Sequence, residues 1–210
     1  MNRSSICILA ITSILVPALS QTPGNAPRQS SCTLDQSPMI RGIRLGMTAE
    51  EVFSHFPGSN EDSFNKRAVE SAGRPPNYGL ARIGFQRSLH PSPNNERLAG
   101  VDSISITLFD EQVTDLQVSY AGPGSYPSGP SWPNIDDFIA RLSEAFGLPE
   151  PKYWVAKGPS QKAVNCSGFE IEARDVSGQA SVRIHNDAYL NTLRQRATAD
   201  EEKRRREFKP

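Results

Sequence analysis

The sequence predicts an α+β fold: two tandem units, each a short helix packed on an antiparallel sheet, closed by a C-terminal helix. Three observations carry this prediction. A helix-start pattern of cap, any residue, acid, acid, apolar, apolar occurs at Thr48 and again at Asn134. Each start is followed by stretches in which apolar and polar residues alternate, the period of a strand with one buried face. Between the two lies "AGPGSYPSGPSWPN", with three glycines and four prolines, a connector that cannot form a regular helix.

Residues 1–20 carry one positive charge at Arg3, an apolar run from Ile6 to Val16, Pro17, and small residues at Ala18 and Ser20. That is the pattern of a secretory signal peptide. The run is shorter than the roughly 20 residues needed to span a bilayer. Cys7 lies inside it, away from the expected cleavage point near Ser20, so no lipid anchor is expected. Residues 21–37, with Pro23, Gly24 and Pro27 among polar residues, read as a disordered leader.

The first unit is predicted over 38–121. Thr48 is placed to cap a helix and Glu51 to reach back to the cap, a capping box. Met47 and Val52 form a staple, Val52, Phe53 and Phe56 give a buried face, and Pro57-Gly58 ends the helix. A strand follows at Leu80 to Gln86, with Ala81, Ile83 and Phe85 on one side. Ile104, Ile106 and Leu108 then alternate with polar residues, as do Leu116, Val118 and Tyr120 on the return. For both sets to share a face, 106 must stand opposite 116, which predicts an odd-numbered turn at Asp110-Glu111-Gln112.

After the connector, 122–133, the second unit is predicted over 134–187. Asn134 caps a helix whose apolar residues Ile135, Phe138, Ile139, Leu142 and Phe146 recur at spacings of three and four, and Gly147 stops it. Tyr153–Ala156 and Lys162–Cys166 read as strands around Gly158-Pro159. Phe169, Ile171 and Ala173 face Ala180, Val182 and Ile184 across an even-numbered turn at Ser177-Gly178. Residues 188–210 read as a charged helix, with Asp200, Glu201 and Glu202 each four residues before Arg204, Arg205 and Arg206, pairs worth about 0.2 to 0.5 kcal/mol each.

"IRLGMTAEEV" resembles the opening of the small outer-membrane assembly lipoproteins of the SmpA/OmlA type. The tandem arrangement over residues 40–187 resembles the β-lactamase inhibitor protein-like fold, in which two helix-plus-sheet units sit side by side. The resemblance implies protein–protein binding, without catalysis or a cofactor. The chain departs from the lipoproteins in lacking an anchoring cysteine and in having two units.

Composition narrows the function classes. Twenty-three basic and twenty-three acidic residues cancel, so no bulk field draws nucleic acid or an anionic membrane. Beyond the signal region two cysteines remain, Cys32 and Cys166, and a pair in an exported chain is most simply a disulfide. A nucleophilic thiol or a metal site would need a thiolate-favouring environment or further ligands. The expected location is periplasmic or secreted, and the expected partner another exported or envelope protein.

His55, His90 and His185 show no i+2 or i+4 spacing to one another or to a cysteine, so no metal site is expected from them. No G-x-S-x-G elbow occurs. The pairs Glu50-Glu51 and Asp136-Asp137 occupy first turns, where capping and the helix dipole account for them. Tyr126, Trp132, Tyr153 and Trp154 cluster around the connector and the second helix. They are candidates for a binding surface, against the reading that the tryptophans pack the second helix onto its sheet. The basic run Lys203–Arg206 reads as a solvated helix face or as a contact for an acidic protein or anionic lipid. A hydrolase using a loop serine with His90 or His185, and a carrier holding a small apolar ligand between two sheets, are the alternatives to a binding module.

Overall fold

A computed structural model describes residues 32–87, 93–125 and 128–209. The expected signal peptide, leader residues 21–31, His90 and Tyr126 lie outside the described residues. The fold is α+β as predicted, with seven antiparallel strands and five α-helices, one of them C-terminal, among the described residues. The strands are β1 (Leu80–Gln86), β2 (Val101–Phe109), β3 (Gln112–Tyr120), β4 (Val155–Gly158), β5 (Gln161–Asn165), β6 (Glu170–Val176) and β7 (Gln179–His185). The helices are α1 (Ala49–His55), α2 (Ser63–Ser71), α3 (Pro93–Arg97), α4 (Ile135–Phe146) and α5 (Tyr189–Glu207).

The two units do not keep separate sheets. Their strands run β1-β2-β3-β7-β6-β5-β4 in one sheet, the last strand of each unit meeting at the centre. At that seam Leu116 stands opposite Ile184 and Val118 opposite Val182, so the apolar faces of both halves coincide. One apolar row reads Val164, Ile171, Ile184, Leu116, Ile106, Ile83 across six strands. A one-residue slip at the seam would turn half of that row to solvent, and this fixes the register.

The helices that cover this face start as the sequence requires. Thr48 Oγ1 accepts from the Glu51 N–H at 3.2 Å, and Glu51 Oε2 accepts from the Thr48 N–H at 2.7 Å. Those bonds to Thr48 hold the Glu51 carboxyl below its ordinary range. Asn134 Oδ1 accepts from the N–H groups of Asp136 and Asp137 at 2.9 and 3.0 Å. From α1, Phe56 stacks on Phe85 of β1 at 4.2 Å between centroids. From α4, buried Phe138 meets Tyr120 of β3 edge-on at 5.5 Å.

Three expectations are corrected. The β2–β3 turn is not odd-numbered: it has two residues, Asp110 and Glu111, both at positive φ, as in the hairpin turns whose twist matches the strands. The odd residue is instead a bulge at Thr114, since Thr107 faces Asp115 but Leu108 faces Val113. The leader does not run to 37, because the chain is tied down from Cys32 onward. Cys32 bonds Cys166, Ser37 Oγ accepts from the Leu45 N–H at 2.9 Å, and Gln36 accepts from Arg44. Finally, α2 was not expected. Asp62 caps it by accepting from the N–H groups of Phe64 and Asn65, and it packs along β1.

Helix α5 has no buried residue and is held at three points on one side. Tyr189 lies against Phe109 at 5.4 Å, Arg196 binds both oxygens of Asp110 at 2.6 and 2.8 Å, and Tyr78 donates to Asp200 at 2.9 Å. Gly79, at φ +102°, lies under this clamp. A Cβ there would strike the Asp110 carboxylate and the Arg196 guanidinium. Two of the three expected ion pairs along the helix close, Asp200 with Arg204 at 3.1 Å and Glu201 with Arg205. No helix among the described residues is long and apolar enough to cross a membrane.

Candidate functional site: the open face of the sheet

Alternation that buries one face of the sheet must present polar residues on the other. Across all seven strands one row of that second face reads Val155, Ala163, Glu172, Arg183, Gln117, Ser105, Gly84. A neighbouring row reads Asn165, Glu170, His185, Asp115, Thr107, Arg82. Gln117, Ser105, Arg174 and Arg82 are exposed, so the helices leave this face open.

The centre of the face is a shallow depression of about 300 Å³ over the seam. Arg183 of β7 grips Asp115 of β3 with two nitrogens, Nε at 3.0 to 3.1 Å from both oxygens and Nη2 at 2.6 Å from Oδ2. The bonds to Asp115, with Glu172 adding a weaker contribution, raise the Arg183 guanidinium further above its ordinary range. Tyr189 lines one side of the depression. Its hydroxyl is pushed up first by burial and then by the negative fields of Asp115 and Asp187.

Beside this ion pair lies a cluster of ligating side chains. Glu170 stands directly opposite His185, and Glu172 is two residues along on the same face. Atoms of these three able to bind a cation lie within 4.8 Å of one another. The carboxylates are steadied from outside: Lys157 Nζ is 3.5 Å from Glu170 Oε2, Arg183 Nη1 is 3.9 Å from Glu172 Oε2, and Gln161 donates to Glu172 Oε1 at 3.3 Å. His185 is 8 % exposed, with Nδ1 3.1 Å from Asp187 Oδ1.

The aromatic candidates lie elsewhere. Trp154 is a core residue, 5 % exposed, whose indole N–H donates to the Pro149 carbonyl at 2.8 Å. Trp132 is half-buried with its ring 5.3 Å from Phe138, so it packs on α4. Tyr153 is exposed, in a single 3-10 turn, under the Lys152 ammonium at 4.9 Å. These three therefore surround α4 and the approach to β4 and form no cluster on the open face. The acidic pairs behave as caps: Asp137 accepts from the Asn134 amide at 2.9 Å and Asp136 pairs with Lys162 at 2.7 Å.

His55 packs against Gly42, where an added Cβ would come within 2.8 Å of its Nδ1. Among the described residues no serine hydrogen-bonds a histidine, and His90, the other histidine of the hydrolase alternative, lies outside them. Joining of the units edge to edge also removes the space between two sheets that a ligand carrier would use. Searches of protein-family models, curated proteins and solved structures return no match to this chain.

His185 and the glutamates were missed as a group because their proximity is cross-strand. Glu170 and His185 are fifteen positions apart in sequence, and only the β6–β7 register brings them together. The signal was available once the even-numbered turn at Ser177-Gly178 was set, since that turn determines which polar residues are paired.

Proposed function

We propose that this chain is an exported protein-binding module, periplasmic or secreted, that docks another exported or envelope protein on the open face of its sheet. The observation that carries the proposal is the uncovered centre of that face, with Gln117 and Ser105 exposed beside the Asp115–Arg183 pair, on a scaffold whose opposite face is filled. A rigid sheet is suited to such recognition because its side chains are set by backbone pairing and little freedom is lost on docking. The Asp115–Arg183 pair presents both signs of charge at the centre, which favours a complementary polar partner over a purely apolar one.

Export is supported by the composition of residues 1–20 and by the Cys32–Cys166 bond, which persists in oxidising compartments. The resemblance to the SmpA/OmlA lipoproteins and to the β-lactamase inhibitor protein-like fold supports the same class of function.

Site-specific photo-crosslinking tests the reading. A photoreactive residue at Ser105 or Gln117 should give a discrete adduct in the envelope fraction, and one at exposed Arg141 on α4 should not. Absence of adducts from the open face, or the same adducts from Arg141, would overturn it.

A further inference from the structure

We infer that Glu170, Glu172 and His185 form a site for one divalent transition-metal cation of the Zn²⁺ class, beside the seam on the open face. The starting observation is an orphaned nitrogen. His185 Nε2 is buried and has no hydrogen-bond partner among the described residues, and the nearest carboxylate oxygen there, Glu170 Oε1, is 3.8 Å away, too far for a hydrogen bond. The other nitrogen determines what Nε2 is. Nδ1 faces Asp187 Oδ1 at 3.1 Å, and a carboxylate can only accept, so Nδ1 carries the proton. In the neutral ring Nε2 is then a lone pair, directed toward two carboxylates that cannot donate to it. Leaving such an acceptor buried and unsatisfied carries a cost in stability. A bound cation removes that cost.

The arrangement has the chemistry of a metal centre in two shells. Imidazole and carboxylate together select borderline cations such as Zn²⁺ over Ca²⁺ and Mg²⁺, which take oxygen ligands alone. A metal-binding histidine commonly donates its second N–H to a carboxylate, which fixes the tautomer and strengthens the ligand, and Asp187 occupies that position. The three ligands come from two paired strands, with Glu170 opposite His185, so the backbone is set before any ion arrives. Ligand atoms around tetrahedral zinc are roughly 3.3 Å apart for bonds of 2.0 to 2.1 Å. Rotation of the two glutamate side chains closes the present spacing of at most 4.8 Å to that value. Water completes the coordination.

The test uses the disulfide-bonded chain from residue 21 onward, without the expected signal peptide or a polyhistidine tag, so that Cys32 and Cys166 are its only cysteines. Titration with ZnCl₂ by calorimetry should give one saturable site, and Co²⁺ should give visible absorption bands of a four-coordinate centre. His185→Gln and Glu170→Gln should each weaken binding by at least about tenfold, and Asp187→Asn by about 10- to 100-fold through the outer shell. Far-UV circular dichroism checks the fold of each variant. If His185→Gln does not fold, Glu170→Gln and Asp187→Asn with the Co²⁺ spectrum decide alone. Absence of one-to-one binding, tighter binding of Ca²⁺ than of Zn²⁺, or an affinity unchanged in folded variants of His185 and Glu170 would overturn the site. Protein docking on the same face is independent of this result.

Discussion

Asn65 gives Gly84 both halves of a missing strand partner: its Oδ1 accepts from the Gly84 N–H at 2.9 Å and its Nδ2 donates to the Gly84 carbonyl at 3.2 Å. β1 is an edge strand, and such edges invite pairing with other chains. One buried side chain of α2 therefore closes the middle of that edge. Asn65→Ala should lower the unfolding free energy by about 2 to 3 kcal/mol, because it leaves the Gly84 groups unpaired. Urea denaturation measures the loss, and light scattering should register increased self-association.

Tyr120 presents the opposite case. Its hydroxyl is buried without a hydrogen-bond partner among the described residues, and burial pushes it up to about 12. In the unfolded chain a tyrosine titrates near 10, so between about pH 10 and 12 the unfolded state has lost a proton that the folded state retains. Stability must therefore fall as pH rises through that window, by about 2 to 3 kcal/mol, and level off above it. Tyr120→Phe should be neutral or slightly stabilising at pH 7 and should flatten the alkaline loss. Melting temperatures from pH 8 to 12 provide the comparison.

The β2–β3 turn holds Glu111 at φ +68°, a left-handed conformation unfavourable for residues with a Cβ. Glu111→Gly should stabilise the protein by about 1 kcal/mol by relieving it. An unchanged or lower denaturation midpoint would count against this account of the turn.

The clamp on α5 is a surface contact and should behave as one. Arg196 bonds to Asp110, and this hydrogen bond, before any other cause, holds the Asp110 carboxyl below its ordinary range. A depressed carboxyl contributes stability above its unfolded pKa, and the contribution disappears as pH falls through the lower folded value. The clamp should thus persist at neutral pH and release in acid. Both partners are well exposed, so Arg196→Ala should move the global melting temperature little while exposing the helix. Faster tryptic cleavage at Arg204–Arg206 is the expected readout.

Cys32→Ser with Cys166→Ser opens a covalent loop with a sequence separation of 134. In the chain-entropy view a loop of this size restrains the unfolded state by up to about 5 kcal/mol. The double variant should show a large drop in denaturant midpoint, comparable with that of the reduced wild-type chain.

How far the fold was legible depends on the range of each interaction. The starts at Thr48 and Asn134, the stop at Gly147 and the strands from Leu80 and Gln179 rest on residues a few positions apart, and these local patterns predict them. Helix α2 escaped notice because its apolar stripe is weak: Phe64 is largely exposed, and the work of packing falls to Ala68, Val69 and Asn65. The bulge at Thr114 was invisible because an odd-numbered turn and an even turn with one bulge satisfy the same alternation. Pairing of β3 with β7 is a long-range match between two apolar faces, and neither strand alone names its partner. The site followed the same rule. Capping carboxylates were readable in place, whereas Glu170, His185 and Asp115 became neighbours only after three strands were laid side by side.

The central seam has a further meaning for how the molecule is used. Asp115 comes from the first half of the chain and Arg183 from the second, and the grip between them exists only after β3 and β7 have met. Neither half, folded alone, would display the face. Under the proposed function, recognition is conditional on assembly: a truncated or half-folded chain would not present the face, and a check on completeness would be built into the surface itself.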